Sequence, residues 1–453
     1  MRWIHAAIFL LTATKCLASR DDTDDPLFLT PFIRAGRLGE ARKLSSVPPF
    51  DKNNIRSYSG YLTVNETTSS NLFFWFFPAR NLRKDAPTLL FLQGGPGASS
   101  MFSIFIETGP YRINEKLTTE LREVAWSHDF NMLYIDNPVG TGFSFTGSDA
   151  GFVTTEEEVG RDLFEALQQF FTLFNEYADN EFYVSGESYA GKYVPATAYT
   201  IHKNRGRAKM KLSGIIIGDG WTDPINMMDY DQLLQQLGLI SAIQADHFKK
   251  VQDQAKAFIR QGNYGNAYKI MNELMDGDQL PYKSYFYNAT GLDFYFNLLQ
   301  SSAPPEFEYY PKFLQLNETR RAIHVGSLPF NDGSKVENKL MLDQYVSAKA
   351  FVEEILNNDY KVLIYNGQLD LIVPYALTMK FIRNLDWKNA SKFISAPRTI
   401  WKNPAGTPVG YVHRLGNFTE ALVRNAGHMV PYDQPVNALD LITRFIYNKP
   451  FET

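Results

Sequence analysis

Residues 181–191 read EFYVSGESYAG, an apolar run that leads into small residues and then into a segment of helical character. This layout is typical of a nucleophile elbow, a sharp turn between a strand and a helix that exposes one side chain at its tip. Ser188 occupies the tip, and Ala190 stands where a glycine is more usual but is small enough for the turn. We therefore predict a buried strand that ends in a reactive serine.

Two later residues supply what a serine nucleophile needs. Asp370 follows the apolar run 361–365, and His428 lies in the stretch 425–431 beside a glycine. A serine hydroxyl attacks poorly unless a neutral imidazole takes its proton and a carboxylate fixes the tautomer of that imidazole. The order serine, acid, histidine is that of an α/β-hydrolase, so we predict Ser188, Asp370 and His428 as a catalytic triad. The alternative, a helix cap and two ordinary loop residues, requires a coincidence of residue type, order and context.

The apolar pattern of the chain predicts the same fold. Residues 58–64 and 72–77 predict an antiparallel edge, and Thr155 with Glu158 predicts a capping box for a helix whose apolar face runs from Val159 to Phe174. Strands alternating with helices predict an α/β-hydrolase fold with a doubly wound, mostly parallel sheet. Short unbroken apolar runs predict its buried parallel strands at 88–92, 131–135, 181–185, 212–217 and 361–365.

The strand pattern stops after residue 220 and resumes at 361. Helical periodicity takes its place, most clearly in 243–260 and 265–275. We predict an inserted, mainly helical cap, which either roofs the site or is a structural insertion. The predicted organisation is a signal peptide at 1–19, the first part of the core at 20–220, the cap at 221–360 and the second part of the core at 361–453.

Composition restricts the class of protein. The chain has 453 residues, a formal net charge of −4 and 44% hydrophobic residues, values typical of a globular enzyme. The basic cluster at 203–211 lacks interleaved aromatic residues and indicates a solvated loop, so no nucleic-acid partner is expected. No stretch after the leader is apolar for the roughly 20 residues of a membrane span.

The first nineteen residues predict a cleaved signal peptide and entry into the secretory pathway, with a secreted or lysosomal destination. Cys16, the single cysteine, lies inside this leader, so the mature chain would contain no disulfide and no thiol nucleophile. A homodimer is one of the oligomeric states that the sequence leaves open. Five sequons predict N-glycosylation, at Asn65, Asn288, Asn317, Asn389 and Asn417.

A hydrolase of this kind must also stabilise the oxyanion of its tetrahedral intermediate. The residue after the nucleophile, Tyr189, provides one backbone N–H group, and the glycine-rich loop 93–97 provides the other, which we place at Gly95. The loop has no Lys-Ser or Lys-Thr after it, which argues against a phosphate-binding loop. We predict a reaction that uses neither a metal nor an organic cofactor.

Five blocks of the sequence carry a wider resemblance: GGPGASS (94–100), DNPVGTGFS (136–144), GESYAG (186–191), GDGWTDP (218–224) and HMVPYDQP (428–435). Together they make the sequence similar to the serine carboxypeptidases, over nearly the whole mature chain, and to their vitellogenic carboxypeptidase-like branch in particular. The resemblance implies removal of a C-terminal amino acid through an acyl-enzyme at Ser188. The same blocks leave two alternatives open, an acyltransferase or esterase with the same nucleophile, and a non-catalytic binding or stabilising protein of the secretory lumen.

The resemblance also implies how a free C-terminal carboxylate is bound. In the family this group meets a protonated glutamic acid, a second carboxyl group, an amide side chain and a backbone N–H, which correspond here to Glu187, Glu107, Gln93 and Gly94. Two buried carboxyl groups in contact cannot both ionise, so one keeps a proton that it can donate to the substrate. Peptide binding should then be tighter in mildly acidic solution. The alternative is that Glu107 only pairs locally and that Glu187 is solvated.

Overall fold

The computed structural model of the protein describes residues 25–50 and 52–452. The predicted signal peptide and Cys16 lie outside these residues. An eleven-stranded mixed sheet organises the described chain. In chain order its strands are β1 (Ser46–Val47), β2 (Ser57–Asn65), β3 (Ser70–Phe77), β4 (Thr88–Leu92), β5 (Asn131–Ile135), β6 (Glu181–Glu187), β7 (Lys211–Gly218), β8 (Lys361–Gly367), β9 (Arg398–Lys402), β10 (Pro408–Leu415) and β11 (Phe418–Val423).

The strands are arranged in the order β1-β2-β3-β5-β4-β6-β7-β8-β11-β10-β9. The six from β5 to β11 in this order run parallel, with Val184 of β6 paired to Leu90 on one side and to Ile215 on the other. Antiparallel pairs flank them at both ends of the sheet. Parallel strands share the direction of their carboxyl ends, so residues that follow β6, β7, β8 and β11 meet at one edge.

Sixteen α-helices lie within the described residues; they cover the sheet, and eight of them lie in the segment between β7 and β8. They are α1 (Thr30–Arg34), α2 (Leu38–Leu44), α3 (Glu156–Leu173), α4 (Ala190–Lys203), α5 (Tyr230–Gln236), α6 (Ala242–Arg260), α7 (Tyr264–Met271), α8 (Tyr285–Thr290), α9 (Tyr309–Leu314), α10 (Asn317–Ala322), α11 (Ser334–Leu340), α12 (Lys349–Asn357), α13 (Tyr375–Arg383), α14 (Ala390–Ile394), α15 (Val430–Asp433) and α16 (Pro435–Ile446).

The sheet is buried on both faces, as an unbroken apolar strand requires. On β3, Phe76 points to one face and packs edge-to-face on Phe170 of α3, with ring centroids 4.9 Å apart. Its neighbour Trp75 points to the other face and contacts Phe105 at 5.9 Å. Helices on both faces of a largely parallel sheet constitute the α/β-hydrolase fold predicted above, and every strand predicted from the sequence is present.

The predicted capping box is only half formed. Thr155 is the N-cap of α3, and its hydroxyl accepts the N–H of Glu158 at 3.4 Å. The Glu158 carboxylate, however, accepts the N–H of Thr154 at 2.8 Å rather than that of Thr155. The helix ends at Leu173, since Phe174 has left the helical conformation.

The segment 221–360, the predicted cap, contains α5 to α12, together with Asn331–Asp332, which pairs with Thr141–Gly142. The predicted helix 243–260 matches α6, whereas the predicted helix 265–275 divides into α7 and a π-helical turn, Asn272–Asp276. The boundaries of this cap stay a prediction. No helix among the described residues is long and apolar enough to pass through a bilayer.

Candidate active site

Ser188 lies at a sharp turn between β6 and α4. Its φ of 63° is left-handed, a conformation that a non-glycine residue adopts rarely and at a cost in backbone energy. The turn is held by the Ser188 N–H, which donates to Gly218 O at 3.1 Å, and by the N–H of Trp221, which donates to Ser188 O at 2.9 Å. The serine is half-buried while its neighbours on both sides are buried. The elbow therefore presents one hydroxyl at the carboxyl edge of the sheet.

The predicted acid and base meet at the same edge. Asp370 follows β8 and His428 follows β11, and His428 Nδ1 lies 2.7 Å from Asp370 Oδ2. The other oxygen of Asp370 accepts the N–H groups of Ile372 and Val373 at 2.9 and 3.1 Å. Both oxygens of this buried carboxyl group therefore serve as acceptors. The carboxylate in turn favours the tautomer with a proton on Nδ1, which leaves Nε2 as the acceptor.

The free nitrogen of the imidazole is available for proton transfer. His428 Nε2 is buried and has no hydrogen-bond partner in the described structure. Phe296 fixes this residue in two ways. Its carbonyl accepts the backbone N–H of His428 at 2.7 Å, and its ring packs on the imidazole with centroids 5.0 Å apart. A buried nitrogen without a partner is costly unless a function uses it. The arrangement provides a fixed imidazole with one open acceptor.

The glycine-rich loop 93–97 packs directly on the elbow. A Cβ on Gly94 would lie 2.5 Å from the backbone nitrogen of Tyr189 and 2.7 Å from the Cβ of Ser188, so only glycine fits. Gly95 has a φ of 106°, which also favours glycine, and it lines the same cavity as Ser188 and Tyr189. The structure thus brings the two predicted oxyanion residues to the nucleophile.

The four predicted carboxylate-binding residues form one buried group. Gln93 Nε2 donates to Glu107 Oε1 at 2.9 Å, and the side chains of Glu107 and Glu187 are close enough to hydrogen-bond. Burial, and then the charge of Glu107, raise the pKa of Glu187 well above its usual range. Burial also raises the pKa of Glu107. The N–H of Gly94 is not free, however, because it donates to Gln93 Oε1 at 3.0 Å.

A cavity opens beside the nucleophile, and neither Glu107 nor Glu187 lines it. Its empty volume is about 560 Å³, part of which is open to solvent. The residues that line it beyond Gly95, Ser188 and Tyr189 come from the segment after β7 and from the turn after Asp370, and they are Trp221, Tyr230, Met271, Met275, Asp276, Gln344, Tyr345, Ile372 and Val373. Most of this wall is apolar, and Asp276 provides a single carboxyl group.

The sequence matches the family model described as "Serine carboxypeptidase" over residues 48–448. This chain belongs to the serine carboxypeptidase family. It is 48% identical over 438 residues to the human protein named probable serine carboxypeptidase CPVL, a match that covers 96% of this chain and 92% of the relative. It is 47% identical to the venom serine carboxypeptidase of Apis mellifera and 42% identical to the vitellogenic carboxypeptidase of Aedes aegypti, over 96% and 94% of this chain and 94% and 91% of those relatives.

A solved structure confirms the fold of this serine carboxypeptidase. The structure of Kex1(delta)p, described as a prohormone-processing carboxypeptidase from Saccharomyces cerevisiae, superposes with a TM-score of 0.78. The match covers 90% of this chain and 96% of that one, at 23% sequence identity. At this identity the similarity concerns the fold alone.

Two features of the site were not predicted from the sequence. Asp219 lies beside the acid of the triad, and an oxygen of Asp219, an oxygen of Asp370 and a nitrogen of His428 all lie within 4.8 Å of one another. Each of the three groups is hydrogen-bonded within the protein, through Asp219 Oδ1, Asp370 Oδ2 and His428 Nδ1, whereas Asp219 Oδ2 and His428 Nε2 have no partner in the described structure. The walls of the cavity were also missed, because they come from helices of the segment 221–360 that carry no local motif.

Proposed function

We propose that this serine carboxypeptidase removes the C-terminal amino acid of peptides through an acyl-enzyme at Ser188. The observation that carries the proposal is the contact of Asp370 with His428 at the edge where the elbow exposes its serine. His428 Nε2 accepts the Ser188 proton as the hydroxyl attacks the scissile carbonyl, and then gives that proton to the leaving amine. Water, activated by the same nitrogen, hydrolyses the ester. The N–H groups of Gly95 and Tyr189 stabilise the oxyanion.

We propose that restriction to the chain end comes from the buried group formed by Gln93, Gly94, Glu107 and Glu187. Glu187 holds a proton at acidic pH, and through it donates a hydrogen bond to the terminal carboxylate of the substrate. In the free protein the Gly94 N–H donates to Gln93 Oε1 and Gln93 Nε2 donates to Glu107, so the substrate must displace both contacts to use both donors. A substrate without a free C-terminal carboxylate makes none of these hydrogen bonds.

We propose that the cavity beside Ser188 receives the side chain on the acyl side of the cleaved bond. None of the carboxylate-binding residues lines this cavity, whereas both oxyanion residues do. A cavity with this lining is in the position of the acyl half of a substrate. Met271, Met275, Tyr230 and Tyr345 suit a long unbranched or aromatic side chain. The cap thus forms part of the wall and limits the side chain that enters.

The experiment uses the secreted full-length protein and a blocked dipeptide with a free C-terminus. The wild type should release the last amino acid, and a phosphonate probe should label it; Ser188→Ala should abolish both. Transfer of the acyl group to added amines or alcohols in preference to water would instead favour an acyltransferase, and an absence of labelling in the folded wild type would favour a non-catalytic protein. Cleavage of esters but not of peptides would identify an esterase.

We also propose passage through the secretory pathway. Asn288, Asn317 and Asn417 are exposed and accessible to a glycan, whereas Asn65 and Asn389 are half-buried. Expression in animal cells followed by an endoglycosidase should lower the apparent mass, and a glycan at exposed positions is compatible with the folded chain. A chain found in the cytosol with residues 1–19 still attached would contradict passage through the secretory pathway.

A further inference from the structure

Asp219 follows β7 directly and is held against β8. Its N–H donates to Tyr365 O at 2.8 Å, and its side chain is fully buried. Its φ of 44° is left-handed, a conformation that aspartate adopts more readily than most residues and that glycine adopts freely. The backbone therefore fixes this carboxyl group beside the triad.

The Asp219 carboxyl is satisfied on one side only. Oδ1 accepts the N–H of Gly367 at 2.9 Å and lies 3.4 Å from Asn366 Nδ2. Oδ2 is buried without a partner of regular hydrogen-bond geometry, although the carboxyl lies within 4.8 Å of Asp370 and His428. Burial, and then the charge of Asp370, raise the pKa of Asp219 well above its usual range.

Two buried carboxyl groups this close share one proton. Asp370 accepts from three donors, the N–H groups of Ile372 and Val373 and the imidazole of His428, so both of its oxygens already serve as acceptors. The proton therefore belongs on Asp219, whose unpartnered Oδ2 is the oxygen that can carry it.

We propose that Asp219 is a positioning residue of the triad, a buried neutral acid that donates a hydrogen bond to the Asp370 carboxylate and so weakens its hold on the proton of His428. This inference rests on the proposed function, since it concerns the same triad. A carboxylate that accepts an additional hydrogen bond has less negative charge to stabilise an imidazolium ion. His428 then stays neutral, and able to accept the Ser188 proton, at a lower pH.

The groups that face Asp219 support this assignment. Asp219 lies among Asp370, Glu187, Tyr365 and the imidazole of His428, whereas the cation Arg122 interacts with Glu107, beyond Glu187. The groups around Asp219 are therefore mostly acidic. One more ionised carboxylate among them would stabilise the imidazolium ion of His428 and prevent activity in acid.

Two substitutions separate the donor from the charge. Asp219→Asn keeps a donor to Asp370 and an acceptor for the Gly367 N–H, and asparagine also tolerates a positive φ. Asp219→Gly removes the side chain while it suits the backbone conformation. For each variant, the acid limb of kcat is measured on a blocked dipeptide, and the rate of labelling of Ser188 by a phosphonate probe is measured over the same pH range.

With a neutral donor at Asp219, the Asn variant should keep the wild-type acid limb, and the Gly variant should shift it to higher pH. A shift of about one pH unit lowers kcat at the acid end about tenfold. If Asp219 were an anion, both variants would shift the limb to lower pH, and if it were only structural, neither would shift it. Either of these two results overturns the proposal.

Asp223→Asn is the matched control, because Asp223 is a buried acid of the same loop whose oxygens bind Asn226 and Ser347 instead of the triad. It should leave the acid limb unchanged even if it lowers the melting temperature. Labelling of the wild type separates failure of the proposed function from failure of the role of Asp219. If the wild type is not labelled at Ser188, the proposed function fails, whereas normal labelling with unshifted limbs in both variants rejects only the role of Asp219.

Discussion

Gln93 Nε2 donates to Glu107 Oε1 across 2.9 Å, and this bond orients the carboxyl pair that we assign to the C-terminus of the substrate. With Oε1 engaged, Glu107 has its second oxygen left for Glu187. Burial and the proximity of the two acids raise the pKa of Glu187, so the pair holds a proton at acidic pH and loses it as the pH rises. The ionised pair would then repel the carboxylate of a peptide.

We therefore expect KM for a peptide with a free C-terminus to rise with pH, by up to about tenfold per unit once the pair ionises. Glu187→Gln keeps a donor that does not titrate, so its KM should be nearly flat over the same range. The corresponding peptide amide, which lacks the terminal charge, is the control and should show a flat KM with both enzymes. An equally steep rise of KM with pH in Glu187→Gln would show that another group causes the pH dependence.

The cavity beside Ser188 leads to a prediction about the penultimate residue of the substrate. Burial, and then the charges of Asp278 and Glu337, raise the pKa of Asp276 to about 8. Below this pH the wall is neutral and should favour methionine over lysine, because a buried cation without a partner is costly. As the carboxyl ionises, the ratio of kcat/KM for lysine to that for methionine should increase.

Paired peptides with the same last residue test this, since the effect of the carboxylate site cancels in the ratio. Asp276→Asn should give a ratio that does not change with pH. Asp278→Asn removes a neighbouring negative charge that raises the pKa of Asp276, so the increase should occur at lower pH. A ratio that increases equally in wild type and Asp276→Asn would exclude this carboxyl group as the cause.

Much of the fold follows from the sequence because the central strands are buried on both faces and are mostly apolar, as in 88–92 and 361–365. Strand β9 was not predicted, since it lies at the sheet edge and only Trp401 of its five residues is buried. Strand β10 was missed because 408–415 has no continuous apolar run, and β11 because Thr419 and Glu420 interrupt its run, although all six of its residues are buried.

The site was predicted where chemistry requires a local motif, as at the elbow around Ser188, and missed where it depends on contacts between distant segments. The proximity of Asp219 to Asp370 arises because β7 and β8 are neighbours in the sheet, a relation that spacing along the chain does not reveal. The Gln93–Gly94 contact depends on a side-chain rotamer, whereas the resemblance implied only that both groups bind the carboxylate of the substrate. Motifs identify residue types, whereas register and rotamers determine which of them meet.

A buried acid at the start of α3 predicts how stability depends on pH. Burial raises the pKa of Glu156 to about 8, and neither of its oxygens has a partner of regular hydrogen-bond geometry. The folded state thus binds this proton more tightly than the unfolded state does. Its stabilising effect is complete below about pH 4.5, the ordinary pKa of this carboxyl group, and is lost as the pH rises through about 8.

The melting temperature should accordingly fall from pH 5 to pH 8, with a contribution from Glu156 on the order of 2–4 kcal/mol. Glu156→Gln should reduce the slope of melting temperature against pH, as followed by scanning fluorimetry. Glu157→Gln makes the same change at an exposed position of the same turn and should leave the slope as it is. An unchanged slope in Glu156→Gln would show that other buried acids cause the pH dependence.

The contact between the loop 93–97 and the elbow predicts a severe effect of one methyl group. A Cβ at position 94 would lie 2.5 Å from the nitrogen of Tyr189 and 2.8 Å from Glu187 O, and both are backbone atoms that cannot rotate away. Gly94→Ala must therefore move the loop away from Ser188 and displace the Gly95 N–H from the oxyanion. We expect kcat to fall about 100-fold, the usual effect of losing one oxyanion donor.

Gly39→Ala provides the control, since no atom lies within 4 Å of a Cβ there and the residue is in helix α2, where alanine is favoured. It should keep kcat and slightly raise the melting temperature. The diagnostic comparison is between kcat and the cooperative unfolding transition of Gly94→Ala, because displacement of the loop should lower the first far more than the second. If Gly94→Ala turned over substrate as fast as wild type, the oxyanion would have to be bound by groups other than this loop, and the place of Gly95 in the mechanism would be lost.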